Sequence, residues 1–243
     1  MKPTVIIPAR GGSKRIPRKN IIDVGTGPAL GLLISNLNAM ALFEKIIVSS
    51  DDEEIINVAV KYGAEYSTRS AARLSDDITQ SEEVVRDCIL KNNLQDLVEP
   101  IFCIYPLALL LNKAKILDAL KLLSESPDDF IISGGEMDIN PLRHTFKNGN
   151  QGVEVIFPEY NMLRSQDLPP VYFDVGMFYL AYPKIWLKPE KFWYHNNAKF
   201  VSISKDDSID VDTHKDLEKL IKRFNFITSS DKRFSMNSDL PLP

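Results

Sequence analysis

The stretch Thr4-Val-Ile-Ile-Pro-Ala-Arg-Gly-Gly-Ser-Lys-Arg-Ile-Pro-Arg-Lys-Asn20 joins a short β-branched apolar run to a loop with five cations in ten positions. Residues 4–7 read as a buried first strand, and the loop leaves its carboxyl end, where open α/β sheets bind ligands. Two glycines let backbone N–H groups approach phosphate oxygens, and Arg10, Lys14 and Lys19 would neutralise a triphosphate. A merely solvated basic turn would explain neither the paired glycines nor the position after a buried strand. The spacing is neither GxxxxGK[ST] nor GxGxxG, which removes the P-loop and the dinucleotide fingerprint. Gly25-Thr26-Gly27 lacks the third glycine of that fingerprint and reads as a turn.

Downstream, short apolar runs alternate with helix-like segments, the βαβ signature of a mostly parallel sheet. Leu30, Leu33, Ile34 and Leu37 stand at helical spacing within 28–43, followed by a strand over 45–49. Ser50 and Asp51 are candidate caps for a helix over 52–62, whose acidic first turn suits the positive end of the helix dipole. Strands are predicted at 64–68, 101–105 and 130–133, with helices at 82–90 behind Thr79 or Ser81 and at 114–123. Beyond Gly134 the pattern breaks. Pro, Asn and Gly cluster over 140–152, and 159–170 has no helical period, so about 138–172 reads as an inserted arm. Strands at 153–157, 173–181 and 200–203 return the chain to a sheet. Thr213, with Asp216 three residues on, opens a last helix with Leu217, Leu220, Ile221 and Phe224 on one face. One domain over 1–228 and a polar tail over 229–243 result.

The chain has 243 residues, 44% hydrophobic and 26% charged, which excludes wholesale disorder and low-complexity scaffolds. A net charge of −4 offers no general pull towards nucleic acid or an anionic membrane, so an anionic ligand must be met locally. No apolar run approaches the roughly 20 residues of a membrane span and no signal-peptide core is present, giving a cytoplasmic expectation. Cys88 and Cys103, without CxxC spacing, read as reduced core residues.

Ser208-Ile-Asp-Val-Asp-Thr213 carries the second signal. In an extended segment Asp210 and Asp212 share one face about 6 to 7 Å apart, with Val211 turned to the core. Two carboxylates at that range repel by roughly 2 to 3 kcal/mol at an effective dielectric near 20, which a bound cation would relieve. Mg²⁺, content with one or two carboxylates plus phosphates and waters, suits the pair. The other reading is that Asp212 or Thr213 caps the last helix. A third candidate is Arg164-Ser165-Gln166-Asp167 with Asp174 downstream, able to hold a carboxylate and hydroxyls, or else an exposed loop. His144 and His195 lack partners at ligand spacing, and His214 reads as a first-turn helix residue.

Together these stretches resemble the acylneuraminate cytidylyltransferases, the CMP-sugar synthetases. Residues 7–20 match the family signature, and Val48-Ser-Ser-Asp-Asp-Glu-Glu54, Tyr62-Gly-Ala64, Leu74-Ser-Asp-Asp77, Arg164-Ser-Gln-Asp-Leu168, Asp174-Val-Gly176 and Asp210-Val-Asp-Thr213 follow in order. The resemblance covers about residues 3–225, and the 164–168 and 174–179 stretches are most similar to the pseudaminic acid branch. It implies a three-layer, Rossmann-like α/β fold of the nucleotide-diphospho-sugar transferase type. The implied reaction is attack of a nonulosonic acid's C2 hydroxyl on the α-phosphorus of CTP, with release of pyrophosphate. By the same resemblance Arg10, Gly12, Ser13 and Lys14 bind phosphates, Lys19 stabilises the phosphorus under attack, and Asn20, Arg69, Ser81 and Tyr105 contact the nucleotide. Arg10, Lys19 and Asp212 would be catalytic, and Asp210 and Asp212 would hold Mg²⁺. Arg164, Ser165, Gln166, Asp167 and Asp174 would bind the sugar acid, with the arm reaching the partner's site in a homodimer.

The chain departs from this pattern at Tyr105-Pro-Leu-Ala-Leu109, where the family has a hydroxyl-bearing turn, and leucines cannot hydrogen-bond a base. Phe173 stands where the pseudaminic branch often has His. Legionaminic, N-acetylneuraminic and 3-deoxy-octulosonic acids are alternative substrates, and a homologue that binds nucleotide or sugar acid without turnover is the alternative class.

Overall fold

The computed structural model describes residues 2–68, 81–137, 139–147, 152–188 and 198–230. Strand β1 (Thr4–Pro8) is wholly buried and lies at the middle of the parallel half of the sheet, between β2 (Lys45–Ser50) and β4 (Ile101–Ile104). The seven strands run β3-β2-β1-β4-β8-β5-β9, with β3 at Glu65–Thr68, β5 at Phe130–Glu136, β8 at Tyr172–Ala181 and β9 at Ala198–Ile203. Every pairing is parallel except those of β8, which is antiparallel to β4 on one side and β5 on the other.

Helices cover both faces. One layer holds α1 (Ala29–Met40), α2 (Glu53–Lys61), α4 (Lys113–Glu125) and α6 (His214–Ser230), whose apolar stripes close over Val5, Ile7, Phe102 and Phe178. Leu30, Leu33, Ile34 and Leu37 of α1 are all fully buried, as their spacing predicts; each such side chain contributes roughly 1.5–3 kcal/mol of burial. Phe102 meets Phe43 and Phe178 edge to face, both with centroids 5.8 Å apart. The opposite layer, α3 (Ser81–Lys91) and α5 (Pro183–Trp186), covers Ile6, Ile47, Cys103 and Ile132. Cys88 and Cys103 are buried free thiols, and desolvation pushes both titrations up, away from the reactive thiolate.

Three expectations change. The cap of α2 is Asp52, whose extended backbone lets its carboxylate accept from the N–H groups of Glu54 and Ile55; Ser50 and Asp51 bond elsewhere. Residues 153–157 do not rejoin the main sheet. Among the described residues strand β7 (Val153–Val155) pairs with β6 (Thr145–Lys147) alone, in a separate two-stranded antiparallel sheet within the predicted arm. Helix α6 runs through Ser230, past the break predicted at 229, with the Thr228 hydroxyl donating to the carbonyls of Phe224 and Asn225. The rest of the predicted tail, 231–243, lies outside the described residues.

Candidate active site

A cleft of about 660 Å³ opens at the carboxyl ends of the strands, between the loop that follows β1 and the segments around β8 and the end of β9. The loop is held from outside. Arg18, at φ +57° in the left-handed region, forks onto Asp52 with Nη1–Oδ2 2.5 Å and Nη2–Oδ1 3.0 Å and also reaches Glu54. This bidentate pairing offsets the backbone strain and holds the Asp52 carboxyl below its usual range. Gly11 donates its N–H to Asp51, and a Cβ there would come within 2.5 Å of the Asp52 carboxylate, so only glycine permits the approach. Asn20 closes the loop by donating to the Arg10 carbonyl at 2.9 Å.

Four of the five loop cations then remain for the cleft: Arg10, Lys14, Arg15 and Lys19 line it with Ser13 and Asn20. Lys19 donates to the Val211 carbonyl at 2.7 Å and is bridged thereby to the opposite wall. Burial pushes its ammonium down; Asp212 and Asp210 pull it back up, and Arg15 and Arg10 oppose them.

The opposite wall is acidic, with Asp174, Asp210 and Asp212. Val211 between the pair is buried, which turns both flanking carboxylates to the cleft as the extended reading predicts. The helix cap is settled separately: Thr213 Oγ1 accepts from the Asp216 N–H at 3.3 Å, while Asp216 accepts from the Thr213 N–H at 3.0 Å. Asp212 is therefore spared that duty and pairs with Arg15 at 2.8 Å. With side chains 69% and 46% exposed, that ion pair is worth at most about 1 kcal/mol and yields readily to a ligand. Asp210 reaches solvent yet is pushed up, first by desolvation and then by Asp212. A cation between the two would reverse that shift. Mg²⁺ fits this donor set, since it keeps phosphate oxygens and waters in its shell; among the described residues no cluster of three metal-ligating side chains occurs.

Asp174 comes from a distortion in β8. While β5 advances from Ile132 to Gly134, β8 moves from Tyr179 back to Asp174, so residues 175–178 oppose Ser133 alone. The buried Ser133 hydroxyl accepts from the N–H groups of Met177 (3.0 Å) and Phe178 (3.2 Å), standing in for the interrupted ladder. Gly176, at φ +67°, makes the turn and donates to Asp174 Oδ1 at 2.9 Å. Tyr179 Oη donates to Asp174 Oδ2 at 2.6 Å. Burial raises the Asp174 carboxyl, partly opposed by these two bonds. Beside it, Tyr105 packs edge-on against Tyr179 at 5.7 Å and bonds Ser81 at 2.5 Å.

The structure thus gathers Arg10, Ser13, Lys14, Lys19 and Asn20 with Ser81, Tyr105, Asp174, Asp210 and Asp212 around one space. Gly12 sits exposed outside the lining, its α-carbon facing open space. Arg69 lies outside the described residues, as does the 74–77 stretch. Arg164, Ser165, Gln166 and Asp167 do not line the cleft: they are exposed on the arm, where Arg164 forks onto Asp167 at 2.6 and 3.0 Å and Arg143 bonds Ser165. Their extended and 3₁₀ backbone carries them away with the arm. The sequence reading gives no role to Arg15, visible as a cation in the loop, or to Tyr179, which closes the 174–179 stretch but looks there like any core aromatic in a strand. Leu107 and Ala108 also line the cleft and offer it apolar surface without side-chain donors or acceptors.

A family model described as cytidylyltransferase matches residues 4–166. A pseudaminic acid cytidylyltransferase of Campylobacter jejuni is 36% identical over 228 residues, 93% of this chain and 98% of its own length. An N-acylneuraminate cytidylyltransferase of Streptococcus agalactiae is 27% identical over 230 residues, 93% of this chain and 54% of that protein. Among solved structures, a CMP:2-keto-3-deoxy-manno-octonic acid synthetase complexed with CTP is similar at TM-score 0.69 and 15% identity, over 93% of this chain and 100% of that one. This last likeness shows a shared fold.

Proposed function

The chain belongs to the cytidylyltransferase family, and from that premise we propose that it transfers CMP from CTP to the C2 hydroxyl of a nonulosonic keto-sugar acid, pseudaminic acid foremost, releasing pyrophosphate. The observation that carries this reading is the meeting of four cations with three carboxylates in one cleft at the strand ends. Likeness to a pseudaminic acid cytidylyltransferase along nearly its whole length supports the choice of acid.

In this reading the triphosphate lies against Arg10, Ser13 and Lys14, with Gly12 offering backbone at the rim. Lys19 neutralises charge that develops on the phosphorus under attack. Such transfer needs little covalent help from the protein, and fixed charges provide most of the acceleration. Asn20, Ser81 and Tyr105 border the nucleoside. Asp210 and Asp212 would hold Mg²⁺, whose contribution when bound is to neutralise phosphate oxygens. Arg15 gives up Asp212 as the triphosphate arrives.

Asp174 meets the sugar acid within the chain, while Arg164, Ser165, Gln166 and Asp167 meet it across a homodimer. The arm supports the latter, since Ile139 and Val153 are each 72% exposed and Met162 91%, an apolar surface that a second copy would cover. A cytoplasmic site of action fits the use of CTP, and no described helix is long and apolar enough to cross a membrane.

The test is pyrophosphate release and CMP-sugar formation with CTP, Mg²⁺ and, separately, pseudaminic, legionaminic, N-acetylneuraminic and 3-deoxy-octulosonic acids. Turnover with pseudaminic acid is expected. Turnover with another of the four corrects the substrate, and silence with all four alongside measurable CTP binding refutes the transfer reading in favour of a non-catalytic homologue.

A further inference from the structure

Resting on the transfer reading, we propose that Asp174 is the base that takes the proton from the attacking sugar hydroxyl, and that Tyr179 is its positioning residue. Three carboxylates line the cleft, and two of them face cations: Asp212 is paired with Arg15, and Asp210 faces Lys19. Among the described residues the hydrogen bonds to the Asp174 carboxylate come from the Tyr179 hydroxyl and the Gly176 N–H, neither of them a cation, whereas the other two carboxylates are met by Arg15 and Lys19. The titratable groups that face it are Tyr179 on its own strand, Cys103 and Tyr105 from the β4 side, and Asp210 from the segment after β9. Burial favours its protonated form.

Geometry makes the stronger case. An unbroken β8 would continue its ladder with β5 through residues 174–179; instead a bulge fastened by the buried Ser133 and turned at the left-handed Gly176 delivers Asp174 to the cleft. Bulges of this kind re-aim side chains beside active sites. Each Asp174 oxygen is already fixed by one hydrogen bond, from Tyr179 and from the Gly176 N–H, which sets the carboxylate's orientation and leaves lone pairs for an incoming hydroxyl. The step balances: the O–Pα bond forms, the bond from Pα to the bridging oxygen breaks and its electron pair leaves with pyrophosphate, and the hydroxyl proton passes to Asp174.

Steady-state kinetics of Asp174→Asn and Tyr179→Phe beside the wild type, with CTP affinity measured by calorimetry, test this. Asp174→Asn is expected to lower kcat by about 10² or more, the usual share of general base catalysis, with CTP affinity and sugar-acid KM within about threefold of wild type. A raised sugar KM at preserved kcat makes Asp174 a binding group only and overturns the proposal, as does an unchanged kcat. Should Asn at 174 disturb the fold, seen as lost CTP binding, Tyr179→Phe decides, because it removes one hydroxyl and keeps the ring against Tyr105. It is expected to lower kcat about tenfold with both KM values retained; an unchanged kcat, or a change confined to KM, overturns the proposal. A wild type that is itself silent with every acid refutes the transfer reading and this inference with it.

Discussion

The basic wall of the cleft is one continuous segment, residues 10–20, whereas the acidic wall is assembled from β8 and the turn after β9. The basic wall stands by sacrificing one of its own cations: Arg18 turns outward to Asp52, and the other four are left to face the ligand. The acidic wall makes no such sacrifice. Its carboxylates are placed by backbone devices, the Ser133-fastened bulge for Asp174 and the buried Val211 for the Asp210 and Asp212 pair. Positive charge can be crowded into a loop if a counter-ion anchors it from outside, while negative charge here is divided between a strand and a separate segment of the chain.

Three perturbations would break or sharpen that contrast. The largest effect is expected on the acidic wall: Asp212→Asn should abolish Mg²⁺-dependent turnover with thermal unfolding in metal-free buffer unchanged, because Thr213 and Asp216 cap α6 without it. A lowered melting temperature with turnover intact would return Asp212 to a structural role. Next, Lys19→Ala, which cuts the bridge to the Val211 carbonyl, should lower kcat by about 10² or more; a kcat near wild type would remove Lys19 from the transfer step. The smallest is Arg18→Ala, which should destabilise the fold by about 1 kcal/mol, the partly exposed pair being screened by solvent. Its pH dependence has a definite sign. The Asp52 carboxyl is lowered in the folded state, first by the Arg18 hydrogen bonds, so its contribution is present above the unfolded value of about 3.9 and disappears as pH falls through the lower native one. Urea midpoints of wild type and variant should converge below about pH 4, and a constant gap would count against the anchor.

The same contrast governs what could be read in the residues alone. The basic wall was legible because its chemistry is contiguous: strand, glycines and cations follow one another, and a local pattern has a local consequence. Asp210 and Asp212 were legible for the same reason, and of the two candidate caps of the last helix the structure gives the duty to Thr213 and not to Asp212. What escaped depended on pairings distant in the chain. That Arg18 faces away follows from Asp52, and that Tyr179 serves Asp174 follows from a bulge against β5 whose local sign, Gly176, gives neither its size nor its partner Ser133. The cap of α2 slipped to Asp52 because Ser50, Asp51 and Asp52 are equally good acceptors and tertiary contacts divide the labour among them. Arg164 to Asp167 matched a family pattern, but a local pattern carries no sign that the arm holds them outside the lining of the cleft.

Strand β8 sits between β4 and β5 although it is made after both. A growing chain therefore emerges with two apolar strand edges that have no partner until residues 172–181 follow, and the reacting space cannot close before the Val211 carbonyl reaches Lys19, 192 residues upstream. Assembly of this enzyme is weighted towards late, long-range contacts, the regime in which folding is slow and half-made sheets are most exposed to misassociation.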